Sequence, residues 1–418
     1  MSDQTTRRVI EEIIGAIDIP DSSYELAEKR YKDLADWFGR PEARCATLDP
    51  HLYPQGSFRF GTVIRPLDEN GEYDLDMGCR LRTGITKATH TQKHLKHMVG
   101  DDLEDYRVAR KIKEEREEKH RCWRLKYADT LSFHLDVVPS IPEVASQRRM
   151  LKEAMMKAGS ADALAESVAE YAVSITDNRH AKYDAICNDW RISNSEGFAL
   201  WFESQMELSQ PLLEKWASEA KAARIEKLPL FKRKSPLQRC VQLLKRHRDV
   251  MFKENPDGKP VSAIITTLAA RAYQGEAEID VALEGILECM GGLVRPNAPY
   301  VPNPVSLTED FADKWDKPEY RHLNLHANFK AWLQKARQDF GTLSSSDSPN
   351  VLENVAKTSV GVTLDSRVAK EQAGINANKA KKRALLEKAA RISVGTKTSS
   401  TGVIGTVGVA NIAHKFYG

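Results

Sequence analysis

The sequence predicts an α/β lobe built on a mixed sheet, joined to a helical lobe with a cleft between the two. Three observations predict it. Residues 51–82 alternate apolar and polar side chains between Gly56, Gly61 and Gly71, the pattern of strand, turn and strand. Residues 130–138, TLSFHLDVV, return to strand character before Pro139 and Pro142 end it. From about residue 150 the pattern is mainly helical, strongest over 236–252 and 261–274.

The remaining elements follow in order. Residues 24–39, YELAEKRYKDLADWFG, space their apolar groups as a long helix does. The charge-dominated stretch 87–122 reads as exposed helix mixed with loop, and KIKEEREEKHR (111–121) as an exposed helical face. Gly and Pro mark loops at 291–304, and GTLSSSDS (342–349) reads as a linker. Beyond about 392 the chain is rich in Gly, Thr, Ser and Val, which predicts a flexible tail. The expected division is 1–145 for the α/β lobe with its N-terminal helix, 146–341 for the helical lobe, 342–391 for a linker and helical extension, and 392–418 for the tail.

Bulk composition narrows the setting. A net charge of +3 is too small to argue for a polymer or membrane partner by itself. The six cysteines lie far apart with no CxxC pair, which fits reduced thiols in a cytoplasm. The first residues lack the apolar run of a signal peptide, and no stretch reaches the ~20 apolar residues of a spanning helix. The expected location is the cytoplasm.

The chemistry concentrates in QGSFRFGT (55–62), EYDLDMGCRL (72–81) and FHLDVVP (133–139). Successive side chains of a strand point to opposite faces, so Asp74 and Asp76 share one face. Two adjacent carboxylates repel unless a proton or a cation bridges them. A pair of divalent ions is the natural bridge, Mg²⁺ by its preference for oxygen ligands, with Mn²⁺ as a substitute. Asp136, alone in an apolar strand, supplies a third carboxylate if that strand pairs beside the first. Gly56-Ser57 lies at a tight turn whose backbone N–H groups and hydroxyl suit phosphate oxygens.

Further residues gather around this set. Arg248 falls on the apolar stripe of PLQRCVQLLKRHRDVMF (236–252) formed by Leu237, Cys240, Val241, Leu244 and Met251, with Lys245 at its border. A buried Arg needs a carboxylate or a phosphate, and both remain open for Arg248. Ser262 follows Pro260 near a helix start, where it either meets a phosphate or caps the helix. Trp201 and Phe202 read as core anchors, and Asp177-Asn178 as a turn or a reader of a base edge. His90, His94 and His97 have the spacing of zinc ligands, but no fourth ligand accompanies them and Lys93 and Lys96 make the segment look solvated.

Gly56-Ser57, Asp74-x-Asp76 and Asp136 resemble the signature of the polymerase-β-like nucleotidyltransferase superfamily. ITDN (175–178), WRISNSEGFALWF (190–202), LKRHRD (244–249), KPVSAIITTLAARAY (259–273) and VPNPVSLTEDFADKW (301–315) are similar to the bacterial cGAS/DncV-like nucleotidyltransferases of antiphage CBASS signalling. The resemblance covers roughly residues 20–340. It implies that Asp74, Asp76 and Asp136 are catalytic metal ligands, with Asp136 beside the acceptor hydroxyl as a general base. It implies that Lys245 meets the donor triphosphate and that Asn194, Ser195 and Glu196 lie near the nucleotide pockets. It implies ATP and other NTPs as substrates, a cyclic di- or trinucleotide product, and a downstream effector that the product addresses.

The chain ends AHKFYG. An unhindered terminal glycine suits enzymes that activate a carboxylate, and some synthases of the resembled family are joined to targets through such a glycine. Gly418 is therefore an expected site for ubiquitin-like conjugation enzymes. Two other readings share the signature: template-independent RNA tailing, and an inactive binding module on the same fold. The modest net charge does not support the first, and the intact acidic triad argues against the second.

Overall fold

A computed structural model describes the protein over residues 8–68, 71–127, 133–206 and 234–395. The first part of the chain forms α1 (Arg8–Ile17), α2 (Asp21–Gly39), β1 (Pro50–Pro54), the short helix α3 (Gly56–Arg59), β2 (Tyr73–Leu81) and α4 (Gln92–Ala109). There follow β3 (Glu117–Glu118), β4 (Trp123–Tyr127), β5 (Phe133–Pro142), α5 (Ala145–Lys157), α6 (Asp162–Glu170), β6 (Val173–Ile175), β7 (Arg191–Ser193) and α7 (Ser195–Met206). The later described part holds α8 (Pro236–Met251), α9 (Ser262–Ala272), α10 (Ile279–Cys289), β8 (Pro302–Asn303), β9 (Ser306–Asp310), α11 (Leu325–Ser345), α12 (Pro349–Val360) and α13 (Ser366–Gly395).

β5 is the hub of the sheet. One edge pairs in parallel with β2; along the other, its first half pairs with β4 and its last residues with β6, both antiparallel. Alternation along β5 buries Phe133, Leu135 and Val137. Leu125, Leu135 and Leu75 lie in one row across three strands. They pack in one core with Leu34 and Phe38 of α2 and Leu95 and Val99 of α4. Each fully buried Leu contributes roughly 1.5–3 kcal/mol. A one-residue slip of β5 would turn all three of its apolar side chains to the other face, so this row fixes the register. The alternate positions then place Arg124, Asp136 and Asp76 in a second row.

The helical lobe is built around α8. Its start is a capping box in which Gln238 N–H donates to Ser235 Oγ and Ser235 N–H donates to Gln238 Oε1, with Pro236 in the first turn. Leu237, Cys240, Val241 and Leu244 are fully buried, whereas Met251 of the expected stripe is 41% exposed. Three side chains of α8 grip backbone carbonyls of the segment that follows α3. Gln238 Nε2 donates to Phe60 O at 2.7 Å, Gln242 Nε2 to Val63 O at 2.6 Å and Lys245 Nζ to Thr62 O at 2.8 Å. This grip joins the two lobes at the floor of the cleft.

The structure departs from the sequence expectations in four places. The charged run 111–121 is not a helical face: α4 ends at Ala109, and Glu117–Glu118 pair with β4 as an edge strand. Its alternating charges fit a solvated edge as well as a helix. The expected linker at 342–349 is mostly helix, because α11 continues to Ser345 and the serines turn their hydroxyls back onto carbonyls four residues earlier, as Ser344 does to Phe340. The expected extension packs into the helical core through Leu352, Ala356, Val360 and Ala373. Finally α1 leaves the lobe it precedes: Val9, Ile13 and Ile17 belong to the helical core, whereas β6 and β7 of the later segment extend the sheet. Of the expected tail 392–418, residues 392–395 complete α13, and the rest, including Gly418, lies outside the described residues. No helix among them is long and apolar enough to cross a membrane.

Candidate active site

One wall of the cleft is the sheet. The parallel register sets Asp76 opposite Asp136 and Asp74 opposite His134. Asp74 stands out into solvent with 65% of its side chain exposed. Burial, and then the neighbouring charges of Asp136 and Asp74, push the Asp76 carboxyl up to about 7. β4 brings Arg124 opposite Asp136, and its guanidinium forks onto the carboxylate: Nε donates to Oδ1 at 2.6 Å and Nη2 to Oδ2 at 2.7 Å. The same Nη2 lies 3.8 Å from Asp74 Oδ1. His134 bridges Glu72, through Nε2, and Asp74 Oδ1, 3.6 Å from Nδ1.

Among the described residues no three metal-type side chains converge on one point. Both Asp136 oxygens are turned to Arg124 instead. The donor set nevertheless fits a hard divalent cation: three carboxylates on neighbouring strands, oxygen donors only, and in Asp76 a carboxyl pushed up by burial and by its two acidic neighbours, which a cation would relieve. Asp74 and Asp76 would hold such an ion directly, and Asp136 by turning one oxygen from the fork.

The turn and the helices make the opposite wall. Gly56 has φ of 63°, and a Cβ at that position would run into the Asp76 carboxylate. Only glycine combines that backbone with that contact. Gln55 N–H donates to Asp76 O at 2.8 Å and Thr62 N–H to Ser57 O at 2.9 Å, which pins the turn against β2. Lys245 is 6% exposed; burial, and then the Arg248 charge, draw its ammonium down to about 7. Arg248 donates from Nε and Nη2 to Asp249 Oδ1, at 2.9 and 2.7 Å. Its Nη1 meets Pro260 O at 3.1 Å and Ser262 Oγ at 2.9 Å. Of the two partners open to Arg248, the structure supplies the carboxylate. Ser262 is the first residue of α9, whose N-cap position is Val261, so Ser262 does not cap the helix.

The walls enclose a cleft of about 840 Å³ that brings together Gly56, Ser57, Asp74, Asp76, Lys245 and Ser262. Asn194 also lies on its wall, but its amide is committed: Nδ2 donates to Val168 O at 2.8 Å and Oδ1 accepts from Gly197 N–H at 3.0 Å. That geometry makes Asn194 the starting cap of α7 rather than a free reader of a base. Glu196 meets Arg80 at 3.1 Å and His51 at 3.6 Å, whereas Ser195 lines the cleft. Asp177 accepts from Arg179 N–H and Arg121, and Asn178 donates to Glu118, so the pair forms a turn. Trp201 and Phe202 sit in the helical core. His90 and His94 lie 5.0 Å apart by ring centroid, while His97 turns to Trp123.

Sequence reasoning missed Arg124. The signal was present in WRLKY: Trp123 and Leu125 are buried on the core face, which leaves Arg124 on the face of the carboxylates. It also missed Asp249, the acid that holds Arg248, and Glu72, which lines the cleft.

The comparisons with known proteins bear on the family and the fold. The family profile described as "Cyclic GMP-AMP synthase DncV-like, nucleotidyltransferase domain" matches residues 50–139, the span from β1 into β5. The chain is 31% identical over 327 residues to a c-di-GMP synthase of Roseivirga ehrenbergii, across 76% of this chain and 74% of that protein. It is 25% identical to the cyclic dinucleotide synthase CdnG of Bradyrhizobium diazoefficiens, across 77% and 74%. In fold it is similar to the solved Bradyrhizobium diazoefficiens CD-NTase CdnG in complex with GTP, with a TM-score of 0.59 at 19% identity over 88% of this chain and 98% of that one. The Vibrio cholerae di-nucleotide cyclase DncV, solved with GTP and 5MTHFGLU2, follows at 0.51 and 16% over 87% and 89%. An α/β lobe with Asp76 and Asp136 in register, closed by a helical lobe and matched at this identity over this length, places the chain in the DncV-like nucleotidyltransferase family of bacterial cyclic dinucleotide synthases.

Proposed function

We propose that the protein joins two nucleoside triphosphates and closes the linear intermediate into a cyclic dinucleotide, with GTP the first substrate to try and ATP the second. The observation that carries this reading is Asp76, paired in parallel register with Asp136, lining one cleft with Asp74, Lys245 and Ser262. The relative named a c-di-GMP synthase supports the choice of GTP. Divalent ions, Mg²⁺ in this reading, would be held by Asp74, Asp76 and Asp136 and would supply positive charge to the reacting phosphate and the departing pyrophosphate. The chain's own residues do the rest. Backbone N–H groups at Gly56-Ser57 and the Ser57 hydroxyl hold phosphate oxygens of the donor. Lys245 and Ser262 hold the part of the triphosphate that leaves. Asp136 takes the proton of the acceptor hydroxyl, which attacks the α-phosphorus in line; positioning and charge carry most of the acceleration.

Within this reading the product addresses a downstream effector in antiphage signalling, the synthase works in the cytoplasm, and Gly418 is joined to partners by ubiquitin-like conjugation enzymes. The last point is tested by co-expressing the chain with such enzymes and comparing it with a Gly418 deletion on a denaturing gel; adducts absent from both, or equal in both, would remove it. The central test is incubation with each α-labelled NTP, singly and in pairs, in Mg²⁺. A short phosphatase-resistant product is expected. Long ladders would instead indicate RNA tailing, and no turnover with any NTP would favour a binding module.

A further inference from the structure

Asp136 differs from its two fellow carboxylates in one respect. Asp74 and Asp76 line the cleft, whereas Asp136 is absent from its wall and has both oxygens in a two-point fork with Arg124. A bidentate guanidinium–carboxylate pair is among the stronger hydrogen-bonded contacts in a protein, and it uses the in-plane lone pairs a cation would need. Just before β4, Cys122 adds a half-buried thiol, pushed up to about 12 by burial and the Asp136 charge. The fork also has somewhere else to go: Asp74 Oδ1 is 3.8 Å from Nη2, and Glu117 of β3 lies directly opposite Arg124 in register. Arg124 is thus poised between two arrangements of the same side chains.

We infer that Arg124 is a positioning residue that keeps Asp136 out of the ion site in the empty enzyme and yields one carboxylate oxygen when ions arrive. The inference rests on the reading of Asp136 as an ion ligand. Without ions the fork offsets the negative charge of Asp136, which would otherwise repel the neighbouring carboxyls across the strand pair. On loading, the incoming ion replaces that charge. Ion binding is then weakened by the cost of opening the fork, and the acid nearest the acceptor hydroxyl becomes available last. The order matters: an enzyme whose third ligand is held back does not assemble its reactive site around a stray ion alone.

The test is calorimetric binding of Mn²⁺ to the full chain without nucleotide, for the wild type, Arg124→Ala, Arg124→Lys and Asp76→Asn, with melting midpoints in EDTA as a second readout. Losing a charge-assisted contact to the competing state should tighten Mn²⁺ binding in Arg124→Ala by about ten- to a hundredfold. The same variant should melt below the wild type in EDTA. Arg124→Lys, which can hold one oxygen but not fork, should fall between, and it carries the comparison should the Ala variant fail to fold. Unchanged or weaker Mn²⁺ binding in both Arg124 variants overturns the inference. Wild-type Mn²⁺ binding by Asp76→Asn would instead overturn the ion site itself, so the two failures are distinct.

Discussion

The two walls of the cleft handle charge in opposite ways. On the helical wall each cation already has a partner: Arg248 is held by Asp249, Pro260 O and Ser262, and Lys245 by Thr62 O. On the sheet wall Asp74 and Asp76 have no such fork: Asp74 has longer contacts to His134 and Arg124, at 3.6 and 3.8 Å, while Arg124 forks onto Asp136 beside the wall. The helical wall is complete in the empty protein, because a buried guanidinium or ammonium without a partner would cost several kcal/mol. On the sheet wall, burial and then the charges of Asp136 and Asp74 push the Asp76 carboxyl up to about 7. The difference teaches that the two sides were assembled for different visitors. In the proposed reading the acids receive positive charge, and the cations exchange a protein oxygen for one from a phosphate.

The largest expected effect lies on the sheet wall. Asp76→Asn should lower turnover roughly a thousandfold or more, since ion-borne stabilisation of the reacting oxygens is worth several kcal/mol. The measurement is product formed per enzyme in Mg²⁺, with the fold checked by circular dichroism. Turnover at the wild-type rate would dissolve the distinction between the walls.

On the helical wall, Lys245→Ala and Ser262→Ala should weaken a non-hydrolysable triphosphate by about ten- to a hundredfold each, the loss of one charge-assisted hydrogen bond. Lys245 adds a proton signature. Its ammonium is drawn down to about 7 in the empty site, so at pH 8 it is mostly neutral and should take up a proton as the triphosphate arrives. Binding enthalpies at pH 8 should therefore vary with the ionisation enthalpy of the buffer, and lose that variation in Lys245→Ala. Equal dependence in both proteins would free Lys245 from the role.

A smaller effect is expected at the junction of the walls. Gly56→Ala places a side chain against the Asp76 carboxylate on a backbone with positive φ, which costs about 1–2 kcal/mol before the clash is counted. Its melting midpoint should fall by a few degrees, and its turnover should drop less than in Asp76→Asn. Wild-type turnover in Gly56→Ala would detach the turn from the chemistry.

How much of this was legible in the sequence follows the range of the interactions. Alternation and glycine spacing are local, so the residue pattern alone places Gly56 and Ser57 on one turn and Asp74 and Asp76 on one strand face. Asp136 was legible as an acid in an apolar strand, but its register against Asp76 was not, since β2 and β5 are separated by α4, β3 and β4. Arg124 required knowing that β4 lies beside β5 rather than elsewhere in the sheet. The division into lobes failed at α1 for the same reason: its apolar stripe reports that it is buried, not against what. Asn194 read as a site residue through the family resemblance alone, and its two hydrogen bonds reveal the cap of α7.

The claim that the sheet wall is unfinished without a cation has its most direct test in stability against pH. The Asp76 carboxyl stands at about 7 in the folded protein against 3.8 ordinarily. A carboxyl raised on folding destabilises the folded state as pH climbs through that interval, and the penalty is full above about 7. In EDTA, Asp76→Asn should therefore melt above the wild type at pH 8, and the gap should close as pH falls toward 4. Saturating Mg²⁺ should raise the wild-type midpoint at pH 8 and erase the gap, while moving Asp76→Asn far less. A wild type that melts at or above Asp76→Asn in EDTA at pH 8, or that gains no more from Mg²⁺ than the variant does, would contradict the account.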